Sequence, residues 1–129
     1  MSSQTVLLLI IIFAIKHFIV DFIAQTKWQY TNKHILFHLG GIFHSWLHGI
    51  TTLIILDAFH FRIPIYILFN IAITEWVIHY FIDYFKMNIA LYFNWKCNES
   101  YKFWWLLGFD QLLHYLTYCG IVYYLLSIL

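Results

Sequence analysis

The chain has 129 residues, of which 63% are hydrophobic and only 10% charged, with a formal net charge of +1. A soluble domain normally carries about 25% charged residues, so the composition excludes an ordinary soluble domain and points to a membrane protein. A nearly neutral chain has no basic surface for nucleic acid, and Cys97 and Cys119 make neither a CxxC nor a zinc-ribbon spacing. No disulfide is expected between them.

Four apolar stretches are long enough to cross a hydrocarbon core, which takes about 20 helical residues. They lie at roughly 5–25, 35–57, 64–86 and 103–128, and predict an all-α, polytopic four-helix bundle forming a single domain over 1–129. The first stretch lacks a basic leader and a small-residue cleavage site, and it carries His17 and Asp21; it is expected to be a span, not a cleaved signal. In the second, Gly40, Gly41 and Gly49 would let a neighbouring helix approach closely. Pro64 suits the start of the third, because its missing N–H is an orphan there anyway. The linker after the third is rich in aromatic residues, and 87–95 reads as a short helix lying on the membrane surface or as an ordered polar loop.

Lys27, Lys33, Lys86, Lys96 and Lys102 flank the first and third linkers, against Arg62 alone in the second. The positive-inside rule then places those two linkers in the cytoplasm and both termini outside an inner or plasma membrane. Asp57 and Arg62 at the outer linker are expected to be solvated, and His34 and His60 interfacial. Lys16 is expected to snorkel or to pair with a carboxylate.

Every span carries acid–base or metal-ligating residues four apart: His17 and Asp21, His44 and His48, the ladder Glu75, His79 and Asp83, and Asp110 with His114. Spacing of four places each set on one helix face. Counted at 1.5 Å per residue, most of these groups fall roughly 5–16 Å from the first or third linker, in one half of the bundle. Asp in mid-helix costs about 2.5–3.5 kcal/mol on insertion scales, so such groups should face inward and be paired, protonated or bound to an ion. Three readings stand side by side: a hydrogen-bonded network that specifies helix packing, a proton or ion pathway, and a metal site. His38 could join the site or stay at the interface.

The segments KHFIVDFIAQTKWQ, HSWLHG, HYFIDYFK and FDQLLH, in that order, resemble a family of small prokaryotic and phage-borne integral membrane proteins known as a domain-of-unknown-function family. The resemblance covers 14–120 and rests on His17, Asp21, Gln25, His44, His48, His79, Asp83, Asp110, Gln111 and His114. It implies a compact multi-span protein with polar intramembrane residues and supplies no activity. A weaker likeness, in architecture and His/Asp content, is to membrane-bound metal-dependent hydrolases.

The leading expectation is a membrane-embedded, metal-dependent hydrolase whose site opens to the cytoplasmic side. His17, Asp21, His44, His48, His79, Asp83, Asp110 and His114 would hold the metal or its ligands, zinc in first place and iron as the alternative. Glu75 would be the general base on water activated by the metal. The partners are the lipid bilayer and an amphipathic, lipid-like substrate, with no nucleic acid, and a homo-oligomer is compatible with the sequence. The alternatives are a proton- or metal-ion-conducting protein and a non-enzymatic interaction protein with a structural polar network.

Overall fold

The computed structural model describes residues 1–59, 61 and 63–129. His60 and Arg62, read above as interfacial and solvated, lie outside the described residues.

The chain is all-helical. Helix α1 (Ser3–Phe18) runs into a π-helical turn, Ile19–Ile23, and a short α2 (Lys27–Thr31) follows. Three long helices complete the chain: α3 (Leu39–Ala58), α4 (Ile65–Tyr92) and α5 (Tyr101–Ile128). Each start has a local cause. Ser2, Thr26 and Ser100 cap α1, α2 and α5 with side-chain oxygens, and Pro64 precedes α4. Thr26 and Gln29 form a reciprocal capping box.

Ser3–Ile23, Leu39–Ala58 and Ile65–Tyr92 are long and apolar enough to cross a membrane. Helix α5 has 28 residues, but Asp110, Gln111, His114 and five tyrosines make it less apolar than the other three.

Two expected boundaries are corrected. Residues 87–92 do not form a separate surface helix but continue α4, which runs unbroken for 28 residues, about 42 Å. Nothing from Lys86 to Leu91 breaks a helix, and the Asn88 amide donates back to Tyr84 O while also reaching His34 O. The helix stops where Asn94 adopts a φ of 52°. The second helix begins at Leu39, not near 35, because Phe37 turns the chain at φ 57° and His38 caps the helix by accepting from Gly40 N. Tyr80 holds that turn, its hydroxyl accepting from Phe37 N.

Helices α1, α3, α4 and α5 pack as a closed ring, in the order α1, α3, α4, α5 and back to α1. The α3–α4 seam is close because a Cβ on Gly49 would lie 2.6 Å from Ala72 O, and one on Gly41 would lie 3.3 Å from the Tyr80 ring. One half of the interior, toward the termini, is apolar: Leu9, Phe13, Leu56, Leu68, Ile71, Tyr118, Val122 and Leu125 pack together. The other half is polar and equally buried. Cys97 and Cys119 are both free and exposed.

Candidate metal centre

The i, i+4 stripes turn inward on four helices. His17, His44, His48, His79, Asp83, Asp110 and His114 are each at most 3% exposed, and Asp21 is half-buried. The π-helical turn sets the aim of Asp21. Its wider winding, closed by Ala24 N donating to Ile19 O at 2.8 Å, carries the carboxylate toward α3 while Oδ2 stays 3.1 Å from His17 Nε2.

Asp21 Oδ1 lies 2.9 Å from His44 Nε2, 3.0 Å from His48 Nε2 and 3.6 Å from His79 Nε2. His44 and His79 bring their Nε2 atoms to 3.3 Å of each other. Two further groups have ligand-like spacing: His17, His79 and His114, and Asp83, Asp110 and His114. The imidazoles are stacked, with ring centroids 3.6 Å apart for His48–His79 and 4.1 Å for His79–His114.

The donor set fits a divalent cation. One carboxylate oxygen has two lone pairs, yet three imidazole nitrogens converge on Asp21 Oδ1. With metal–nitrogen bonds of about 2.0–2.1 Å, tetrahedral ligand atoms stand roughly 3.3 Å apart. The four separations above, 2.9, 3.0, 3.6 and 3.3 Å, bracket that edge length. Nδ1 of His48 and of His79 has no hydrogen-bond partner among the described residues, so neither ring is fixed from behind in the way metal-ligating histidines usually are.

Lysines shield the end of the site nearest linkers 26–38 and 93–100. Lys33 Nζ reaches Asp83 Oδ2 at 2.7 Å, and Lys86 Nζ reaches Asp110 Oδ2 at 3.3 Å. Lys33 is 5% exposed and folds over the carboxylates. Sequence reading assigned both lysines to topology alone.

Glu75 pairs with a lysine of α1. It is 1% exposed, and its Oε1 is committed to the Lys16 ammonium, which also donates to Thr52 Oγ1 at 2.8 Å. It belongs to none of the three ligand-like groups. The ladder is real as a stripe, but one turn of helix separates Glu75 from His79 and places it at the boundary of the apolar layer, where Lys16 neutralises it.

Three neighbours pack against the histidines, of which the resemblance above names Gln25 and Gln111 but not Tyr118. Tyr118 OH lies 3.1 Å from His17 Nδ1, and Gln111 Oε1 lies 3.0 Å from His17 Nε2. The Gln25 amide nitrogen stands 3.1 Å from His44 Nδ1. Thr52 and Tyr118 were within reach of the same signal, each lying four residues beyond a histidine of its stripe. His38 stays out of the site, capping α3 with its ring 5.6 Å from Trp28.

No curated protein and no solved structure matches the chain. A family model described as "Protein of unknown function (DUF3307)" matches residues 5–128, a range that takes in every helix bearing a site residue. This chain with four buried His/Asp stripes belongs to the DUF3307 family.

Proposed function

We propose that this chain is a membrane-embedded, metal-dependent hydrolase acting on an amphipathic substrate. In this reading α1, α3, α4 and α5 all cross the bilayer, with both termini outside and the lysine-bearing linkers in the cytoplasm. The supporting observation is the convergence of His44, His48 and His79 on one oxygen of Asp21, at 2.9–3.6 Å. These four would hold the ion, zinc first and iron second, since three imidazoles and a carboxylate suit either. Such an ion supplies a Lewis acid that activates water and polarises a carbonyl or phosphoryl oxygen.

The remaining groups have roles of their own. Asp110 Oδ1 stands 3.4 Å from His114 Nε2 without a hydrogen bond between them, and in this reading His114 takes and returns a proton beside that carboxylate. His114 is thus a better base than Glu75, whose carboxylate is tied to Lys16. Lys33 and Lys86 balance Asp83 and Asp110, so the site gathers carboxylates without accumulating unpaired charge.

A relay is the second reading. Tyr118, His17, Gln111, Asp110 and Lys86 form a connected chain with steps of 3.0–3.3 Å. Hydrolysis of amphipathic carboxylic and phosphate esters by the reconstituted protein separates the two. The hydrolase reading expects activity lost to a chelator and restored by zinc, with His114→Ala lowering it by a factor of about 10²–10⁴. Proton flux into liposomes with chelator-indifferent behaviour and no ester cleavage would replace it with the relay.

A further inference from the structure

A groove of about 410 Å³ lies between α4 and α5, on the side of the polar cluster toward the termini. Its walls are Ile71, Ile78 and Ile121, and Glu75 and Thr117 sit within it. The volume is that of a small-molecule site, and the walls are apolar as such sites usually are. Three features ask for an occupant with a hydrogen-bonding head and a hydrocarbon tail.

The first is Glu75 Oε2. It is buried and has no hydrogen-bond partner among the described residues, although Oε1 is bound to Lys16. An unpaired buried acceptor is costly, and more so when it belongs to a charged group. The second is the rim. Asn70 and Thr74, one turn apart on α4, line the same groove and are exposed on the outer surface of the bundle, where polar groups facing hydrocarbon are disfavoured. The third is position: Glu75 and Thr117 line the groove and also pack against His79 and His114. Glu75 therefore stands between the groove and the imidazoles.

Charge selects the head group. Lys16 already neutralises Glu75, so a cationic head would bring an unbalanced charge into hydrocarbon. An anionic head would meet the Glu75 carboxylate, with no cationic side chain among the groove's lining residues to receive it. A neutral donor meets neither penalty.

We propose that this groove binds a lipid-type alcohol entering sideways from the bilayer, its hydroxyl donating to Glu75 Oε2 and its chain lying against Ile71, Ile78 and Ile121. That this alcohol is the alcohol part of the substrate rests on the hydrolase reading above; the binding site itself does not.

The test is photolabelling in detergent micelles with hexadecan-1-ol carrying a diazirine on its chain, followed by peptide mapping. Its methyl ether and its trimethylammonium analogue serve as comparisons. The alcohol should label α4 and α5 peptides around Glu75 and Gly120, and unlabelled hexadecan-1-ol should compete. The ether should bind roughly ten- to a hundredfold more weakly, having lost a hydrogen bond to a charged acceptor. Gly120 lines the groove, and a Cβ there meets nothing within 4 Å. Gly120→Leu should therefore fill the groove without disturbing the fold and abolish labelling, with Gly120→Ala intermediate. Equal labelling by the ether, preferred labelling by the ammonium compound, or undiminished labelling of Gly120→Leu would each overturn the proposal. Metal content measured on the same samples keeps the two claims apart. Labelling without bound metal removes the metal centre and leaves the groove. Bound metal without labelling removes the groove alone.

Discussion

Lys16 and Glu75 are 4% and 1% exposed at their side chains and form an ion pair across α1 and α4. Removing one partner of a buried pair leaves an uncompensated charge, at a cost of about 3–5 kcal/mol, whereas replacing both by apolar groups of similar size is often neutral. Lys16 also donates to Thr52 and lies 4.8 Å from the centroid of the Tyr118 ring, so Lys16→Met gives up those contacts as well. Lys16→Met and Glu75→Leu should each destabilise the protein by about 3 kcal/mol or more, and the double variant should return to within about 1–2 kcal/mol of the parent. The coupling is then at least about 3 kcal/mol, well above the sub-kilocalorie value usual for a hydrogen bond between membrane helices. Unfolding in mixed micelles with increasing denaturing detergent, on all four proteins, gives the cycle. A coupling below about 0.5 kcal/mol would refute the pairing and return Glu75 to consideration as a free base.

Two shorter predictions address packing and topology. Gly49→Leu should destabilise strongly, because even a Cβ would stand 2.6 Å from Ala72 O, while Gly108→Ala, inside α5 with nothing within 4 Å, should be neutral or stabilising by up to about 1 kcal/mol on the same detergent titration. Cys97, free and exposed after α4, should react with a membrane-impermeant maleimide only when the cytoplasmic face is accessible; labelling in intact cells would reverse the proposed orientation.

The i, i+4 spacing was enough to name the buried stripes, because periodicity fixes which residues share a face and the cost of polar groups in hydrocarbon fixes which way that face turns. It could not reveal the π-helical turn at Ile19–Ile23, since no residue type marks the extra residue that re-aims Asp21. Lys33 and Lys86 were legible as positive charge but not as ion-pair partners, because long side chains reach across helices in ways that charge counting does not register. Glu75 shows the limit most clearly. Its stripe was right, yet its partner is 59 positions away in the chain, and that partner changes what the carboxylate can do. The α4 extension through 92 is hard to read for a different reason: interfacial aromatics suggest a surface helix or a loop although nothing in 86–91 ends a helix.

The most direct measurement is the metal content of the protein purified without added metal or chelator, combined with X-ray absorption at the metal edge. The account predicts near-stoichiometric zinc or iron, bound through imidazole nitrogen and carboxylate oxygen at about 2.0–2.2 Å, with Asp21→Asn and His48→Ala each lowering occupancy. Wild-type protein that is folded, takes up no zinc or iron even when either is supplied, and unfolds identically with and without chelator would contradict it.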